Sequence, residues 1–113
     1  MMLNFDELIK QKRINLSEEA WYDDDLEPLI KAIDQSTVIE ELNLCCNNLT
    51  LADGKLADAI AKNTTLNDLN LYGNNISLQG LKHLADALKE NKTLQVLSLG
   101  ENNIGDEGAK YIA

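Results

Sequence analysis

The chain has 113 residues, of which 44% are hydrophobic and 26% are charged, and its formal net charge is −9. This length and composition predict one soluble globular domain. The negative charge argues against nucleic acid or an anionic membrane as a partner, because no basic field is present to displace phosphate counterions. A protein with a basic surface is the natural electrostatic complement, although acidity that only maintains solubility is an equal alternative.

The N-terminal residues and the two cysteines predict the cellular compartment of the protein. Met1 to Glu7 contain no basic segment followed by a long apolar run, so we expect no signal peptide. No apolar stretch reaches the length of a membrane span. The two cysteines, Cys45 and Cys46, are adjacent, so an ordinary disulfide framework is not available. Free thiols favour a reducing environment, and we expect a cytoplasmic protein.

Residues 1–35 predict a shortened structural unit. Asn4 is suited to cap a short helix that begins at Phe5. Ile14-Asn15-Leu16 has the alternation of a short strand. A helix with Pro28 in its first turn follows, and its apolar face consists of Leu26, Leu29, Ile30 and Ile33. We interpret residues 1–35 as a degenerate half-repeat that caps the remainder of the chain.

An acidic and aromatic segment, Trp21-Tyr22-Asp23-Asp24-Asp25, precedes that helix. We expect Asp24 or Asp25 to cap the helix and the two aromatic side chains to pack in the cap. Partner binding and a weak cation site are the alternatives. The segment lacks the glycine and the spaced ligands of a calcium-binding loop.

Three similar segments follow at a regular spacing, and all read L-x-x-L-x-L-x-x-N-x-L. They begin at Ile39, Leu66 and Leu94. The L-x-L core of each predicts a short strand whose two leucines point inward and whose middle residue points outward. An inward asparagine lies at the end of each strand, and we expect these asparagines, Asn47, Asn74 and Asn102, to satisfy buried backbone groups in a purely structural ladder.

A helical pattern follows each strand. The first helix has Leu56, Ala59 and Ile60 on one face, and the second has Leu81, Leu84, Ala85 and Leu88. We expect Asn63 and Asn91 to end these helices in the left-handed conformation. A third helix is predicted from Asp106, with Ala109 and Ile112 at the positions of Leu81 and Leu84.

The repeats therefore divide residues 36–113 into 36–63, 64–91 and a truncated unit, 92–113. The pattern stops at Ala113 before the third helix is complete. We interpret the sequence as part of a longer array. Homo-oligomerisation through the uncapped C-terminal end is the alternative, since apolar positions there would otherwise be uncovered.

This pattern resembles the leucine-rich repeats of the ribonuclease-inhibitor-like class. That class includes intracellular nucleotide-binding innate-immune receptors, ribonuclease inhibitors and related actin-filament and GTPase-regulating proteins. The stretch from Asn102 to Lys110 carries the resemblance especially well. The resemblance implies an α/β fold, a right-handed solenoid or horseshoe arc with a parallel β-sheet on the concave side and α-helices on the convex side. Such arcs typically bind proteins.

The outward strand positions are the candidate partner-binding residues. They are Glu41, Asn43 and Cys45 in the first repeat, Asp68, Asn70 and Tyr72 in the second, and Val96, Ser98 and Gly100 in the third. Glu101 and the outer asparagines Asn48, Asn75 and Asn103 extend this grid. Tyr72 is the only large aromatic residue on it, and tyrosine is a frequent anchor at interfaces. The alternative is a face that is merely solvated.

No catalytic, metal or cofactor site is predicted. Cys45 and Cys46 have no histidine or further cysteine at a zinc-ligand spacing, and the single histidine, His83, belongs to a helix. We interpret Cys45 as outward-facing and Cys46 as packed in the turn after the strand. No phosphate-binding loop or catalytic triad spacing is present.

The leading functional prediction is a non-enzymatic protein-binding module within a larger intracellular protein. A regulator of an enzyme, such as a GTPase-activating protein, is an alternative from another class. That chemistry commonly needs a supplied arginine, and the chain's single arginine is Arg13, in the cap. A structural fragment without independent activity is a third possibility.

Overall fold

A computed structural model describes residues 3–112, with Tyr111 and Ile112 described by their backbone alone. The strands are β1 (Arg13–Asn15), β2 (Glu41–Asn43), β3 (Asp68–Asn70) and β4 (Val96–Ser98). The helices are α1 (Phe5–Leu8), α2 (Glu27–Gln35), α3 (Lys55–Lys62), α4 (Leu78–Glu90) and α5 (Gly105–Ile112). A 3₁₀ turn, Asp23–Leu26, leads directly into α2.

The strands form one four-stranded parallel sheet in the order β1-β2-β3-β4. They are parallel because each connection returns through a helix before the next strand begins. Ile14, Leu42, Leu69 and Leu97 are aligned across the sheet. The predicted α/β fold with a parallel sheet is confirmed, and the N-terminal segment contributes the first strand, which begins one residue before the predicted Ile14.

The helices form a second layer, in which each one from α1 to α5 packs against the next. Leu56 and Ile60 of α3 and Leu81 and Leu84 of α4 are buried, as their spacing predicts. Leu88 is only half-buried. Between the layers lies a continuous core of strand and helix residues, because a single strand and helix cannot cover their own apolar faces.

Burial weakens toward the last repeat. Leu66, Leu69, Leu71 and Ile76 are buried, whereas their counterparts Leu94, Leu97, Leu99 and Ile104 are half-buried. Ala109, expected to occupy the buried position of Leu81, is exposed, and the buried residue of this turn is Gly108. The reason is that each repeat is covered on one side by the next, and no later repeat lies within the described residues.

The N-terminal unit reproduces the local geometry of a full repeat. The Asn4 side chain caps α1 by accepting from the amides of Asp6 and Glu7, as predicted. Each strand is followed by one residue in the left-handed region at an equivalent position, and these residues are Glu18, Cys46, Gly73 and Glu101, with φ of 57°, 64°, 71° and 53°. The same turn therefore leaves every strand, including the one in the cap.

Candidate protein-binding face of the sheet

The side chains that alternate with the core residues form one face of the sheet, here called the exposed sheet face. Its residues are Arg13, Asn15, Glu41, Asn43, Asp68, Asn70, Val96 and Ser98 on the strands and Cys45, Tyr72 and Gly100 just after them. A shallow depression of about 270 Å³ on this face is lined by residues of β1, β2 and β3. The strand register arranges the face in three rows.

The first row is Arg13, Glu41, Asp68 and Val96. Arg13 Nε donates to Glu41 Oε2 at 2.6 Å, and this contact raises the pKa of the guanidinium. Both side chains are well exposed, so solvent screens the pair and it contributes little to stability. The row passes from a paired cation to the Asp68 carboxylate and then to Val96, which is 49% exposed. Arg13 was not among the predicted site residues, although its position one repeat length before Glu41 was a usable signal.

The second row is Asn15, Asn43, Asn70 and Ser98. Each asparagine oxygen accepts the backbone N–H two residues ahead, in Ser17, Cys45 and Tyr72 respectively, at 3.1, 2.9 and 2.9 Å. These bonds fix the orientation of the amide groups and occupy their oxygens as acceptors of backbone hydrogen bonds. Their Nδ2 groups donate to no other residue in the described range, so the row presents oriented donors for a partner's acceptor groups.

The third row is Cys45, Tyr72 and Gly100. The Tyr72 side chain is 44% exposed and its ring lies against Gly100. Cys45 is half-buried, and its pKa is raised to about 11, chiefly by the hydrogen bond with Cys46 and also by burial. Beyond this row Glu101, Asn48, Asn75 and Asn103 are exposed, as an extension of the face requires.

Below the face, Asn47, Asn74 and Asn102 are buried and form equivalent bridges between units. Asn74 Nδ2 donates to the carbonyls of Leu44 and Leu71 at 2.9 and 3.0 Å, and its oxygen accepts from Leu49 N at 3.2 Å. Asn102 makes the corresponding bonds one repeat later. Asn47 reaches back into the cap, to Leu16 O and to the amides of Glu19 and Trp21. These side chains hold the turns beside the face and are not available to a partner.

Asn63 and Asn91 form a second set of bridges at the other end of the helices, and the expected left-handed conformation is wrong. Both have extended backbones, with φ of −70° and −72°. Asn63 Nδ2 donates to Ile33 O in the preceding unit, and its oxygen accepts from Leu66 N. Asn91 repeats these bonds with Ile60 O and Leu94 N. Their side-chain bonding between units, rather than a tolerance for positive φ, accounts for asparagine here.

The acidic and aromatic segment connects the cap to the first repeat. The Asp23 carboxylate accepts from the amides of Thr50 and Leu51 and from the Thr50 hydroxyl. The expected capping of α2 by Asp24 or Asp25 is wrong, because Leu26 precedes the helix and no side chain caps it. Asp25 instead accepts from Tyr22 N at 2.8 Å within the preceding 3₁₀ turn. Asp24 is exposed. Trp21 is buried as expected, but Tyr22 is 61% exposed and does not pack in the cap.

Larger depressions lie among the helices. One of about 450 Å³ is lined mainly by acidic residues of α2, α3 and the turns before them, including Asp34 and Asp58. In the described part of the chain, no group of three or more histidine, cysteine, aspartate or glutamate side chains is arranged to hold a metal ion. None of the helices described has the length and apolar character that crossing a bilayer requires.

Comparisons with known proteins agree with this architecture. The sequence model of the Leucine Rich repeat family matches residues 62–85 and 90–113. The chain is similar to a tropomodulin C-terminal domain from structural genomics of Caenorhabditis elegans, at 15% identity and a TM-score of 0.75, over 97% of this chain and 73% of that one. It is also similar to leiomodin-1 actin-binding site 2, at 21% identity and a TM-score of 0.73, over 97% and 72%.

No curated protein matches the sequence. At these identities the likeness to the two solved structures shows a shared fold. The family matches cover the second and third predicted repeats, and the structure extends the same unit through the first. Residues 62–85 and 90–113 are thus identified as leucine-rich repeats, within a chain that shares the fold of the two solved structures.

Proposed function

We propose that this chain is a protein-binding module whose exposed sheet face is the concave side of a right-handed leucine-rich-repeat arc of the ribonuclease-inhibitor-like class. The observation that carries the proposal is the composition of the face. It combines a shallow depression, lined by the Asp68 carboxylate and the oriented amide donors of Asn43 and Asn70, with the half-exposed Tyr72 ring in the third row of the face. A polar surface with one large aromatic anchor is typical of protein interfaces.

The partner that we propose has a basic surface. The net charge of −9 favours such a protein, and Asp68 is a carboxylate on the face without an ion pair among the described residues. One of the similar solved structures is an actin-binding site of leiomodin-1, so actin is the first purified protein to test. We also propose that the module is not an enzyme, that it works in the cytoplasm, and that residues 1–35 cap the repeats 36–63, 64–91 and 92–113.

A matched pair of variants tests the face. Asp68→Lys combined with Tyr72→Ala changes the exposed sheet face, while Asp34→Lys makes the same charge change on the helix side. Affinity for actin, or for a protein captured from cell extract, is measured by titration at fixed salt concentration. We expect the face variant to lose at least about tenfold in affinity, the effect of removing one anchor, and the helix-side control to lose much less.

The opposite pattern, with the helix-side variant weakened and the face variant unchanged, would place the partner on the acidic groove between α2 and α3. Equal binding by all three proteins would overturn the assignment to either surface. Mass measurement in solution tests the separate proposal of self-association through the last repeat, which is supported by the half-buried state of Leu97 and Leu99. A monomer at high concentration would contradict it.

Regulation of a GTPase is a second candidate, and one observation favours it. Arg13 belongs to the exposed sheet face rather than to a remote part of the cap, so a guanidinium lies where a partner would bind. An arginine supplied to a GTPase site accelerates hydrolysis by stabilising charge in the transition state. GTP hydrolysis by candidate GTPases, measured with the wild-type chain and Arg13→Ala, tests this function. If the wild-type chain does not accelerate GTP hydrolysis, regulation of a GTPase is excluded as its function.

A further inference from the structure

Two neighbouring thiols are in direct contact at the edge of the exposed sheet face. The Sγ atoms of Cys45 and Cys46 contact each other. This is unexpected from the strand pattern, because successive side chains of an extended chain point to opposite sides. The contact results from the turn: Cys46 has φ of 64°, so the alternation ends at this residue and its side chain rotates toward that of Cys45.

The first repeat is the one in which this turn holds two thiols. The equivalent pairs are Tyr72 and Gly73 in the second repeat and Gly100 and Glu101 in the third. Because the turn itself is common to the repeats, the fold does not require cysteine at either position. Among the described residues no histidine, carboxylate or further cysteine joins the pair as a metal site.

The surroundings hold the pair in place and leave it reachable. Cys46 N donates to Tyr72 O at 2.8 Å, which fixes the backbone against the next repeat. A Cβ atom at Gly73 would lie 3.1 Å from Cys46 Sγ, so this sulfur packs against the glycine. Both cysteines are half-buried rather than enclosed, so small thiol reagents have access to them.

We propose that Cys45 and Cys46 form a vicinal dithiol site that closes reversibly to a disulfide by exchange with low-molecular-weight disulfides of the oxidised glutathione class. One cysteine thiolate attacks a sulfur of the oxidant, forms a mixed disulfide and releases the first glutathione. The second cysteine thiolate attacks the protein sulfur of that mixed disulfide and releases the second glutathione. The protein loses two electrons and two protons, and the two glutathione thiols carry them away.

The closed form is readily reduced. Adjacent Cα atoms across a trans peptide are about 3.8 Å apart, which is below the roughly 4.4–6.8 Å that ordinary disulfides span. A bridge between neighbours is consequently strained, and strained disulfides have more oxidising potentials than structural ones. The site is therefore suited to a response to the thiol–disulfide balance of its surroundings and not to permanent stabilisation of the fold.

The first experiment treats the full chain with excess oxidised glutathione, quenches it with acid and measures the intact mass. We expect the wild-type protein to lose two hydrogen atoms, to become resistant to alkylation, and to return to the dithiol form with dithiothreitol. Cys45→Ser and Cys46→Ser, whose folding is checked by circular dichroism, each lack the second thiol and are expected to stop at one glutathionyl adduct.

A second probe tests the dithiol without oxidation. Phenylarsine oxide forms two arsenic–sulfur bonds with a dithiol and releases one water molecule, so we expect a stable adduct with the wild-type chain and none with either serine variant. A wild-type chain that accumulates glutathionyl adducts, or that does not react with glutathione disulfide or with the arsenical, would overturn the proposal. So would equally stable arsenical adducts of the single-cysteine variants.

Discussion

The ring of Tyr72 lies against the backbone of Gly100 in the next repeat, where a Cβ atom would approach Cδ2 to 2.9 Å and Cε2 to 3.0 Å. The proposed anchor of the exposed sheet face is thus positioned in part by the absence of a side chain at residue 100. Cys45, on its other side, lies in the same row. The orientation of this aromatic side chain is consequently a property of two neighbouring repeats and not of its own strand.

Gly100→Ala is expected to displace the Tyr72 ring with little effect on stability. The ring is 44% exposed and belongs to a side chain that can rotate, so the strain is relieved locally. We expect the free energy of unfolding to change by less than about 0.5 kcal/mol. Nuclear magnetic resonance checks the first part, through a change in the Tyr72 ring-proton shifts, and urea unfolding checks the second. Unchanged ring shifts would show that the contact does not orient the ring.

The same substitution at Gly80 provides the contrast. Gly80 is buried in α4, and a Cβ there would overlap the Thr50 carbonyl oxygen, which Ser77 N holds by a hydrogen bond of 3.1 Å. Alanine normally stabilises a helix interior by roughly 1 kcal/mol relative to glycine. Here the overlap involves backbone, so we expect Gly80→Ala to lower the free energy of unfolding by about 1–3 kcal/mol in urea titrations. A stabilised variant would contradict the close approach.

Asn74→Ala removes a bridge between the first and second repeats. The buried Leu49 amide would lose its acceptor, whereas the Leu44 and Leu71 carbonyls would each lose one donor and keep another, from Asn47 and Asn102. We expect a loss of about 1–3 kcal/mol in the free energy of unfolding, the cost of leaving one buried group unpaired. Asn75→Ala is the matched control, since Asn75 is exposed, and should stay within about 0.5 kcal/mol of the wild type. Equal losses in the two variants would refute the bridging role.

Asp23→Ala tests the connection between the cap and the first repeat. It would remove the acceptor of the Thr50 and Leu51 amides, which are 3.0 Å from Asp23 Oδ1. We expect the free energy of unfolding to fall by about 2 kcal/mol, as is usual when hydrogen bonds to a charged group are lost. Asp24→Ala makes the same chemical change at an exposed neighbour and should be nearly neutral. Hydrogen exchange would locate the effect, with faster exchange of the Thr50 and Leu51 amides in Asp23→Ala alone.

Thiol alkylation reports the raised pKa of Cys45. With a pKa of about 11, this group is almost entirely protonated at pH 8, and its thiolate fraction rises only at higher pH. Cys46→Ala removes the hydrogen bond that is the largest cause, so the pKa falls toward its ordinary value and the thiolate fraction at pH 8 increases. After allowance for the lower nucleophilicity of a less basic thiolate, we expect Cys45 to react roughly tenfold faster with iodoacetamide. Site-resolved mass spectrometry measures this rate, and a slower reaction would contradict the expected direction.

Periodicity was sufficient to predict the repeated strands and the faces of the helices. Leu42, Leu69 and Leu97 recur at intervals of one repeat, and only parallel strands with a returning helix place such residues in register. The strand in the cap could also be predicted from the sequence, because Ile14 precedes Leu42 by one repeat length. Patterns of this kind are readable because one constraint, burial of a shared apolar layer, acts at every repeat.

Features that depend on pairs of distant polar atoms could not be read from the sequence. Asp23 is the same residue type as Asp24 and Asp25, which follow it. Only its position opposite Thr50 makes it a link between units. Asn63 was suited to a left-handed turn by residue type, but Ile33 O, in the preceding unit, determines its role. The thiol contact of Cys45 likewise depends on the dihedral angles of one residue, which neither cysteine specifies by itself.

Because Asn63 and Asn91 make the same bonds to the preceding unit, the two joints are interchangeable. Residues 64–91 could be deleted, or duplicated, without changing the kind of contact at either boundary, since Lys92 would follow Asn63 as it now follows Asn91. The number of repeats is therefore free to change by tandem duplication or loss. Such changes would lengthen or shorten the exposed sheet face by one strand at a time while the cap at Asp23 and Asn47 stayed intact.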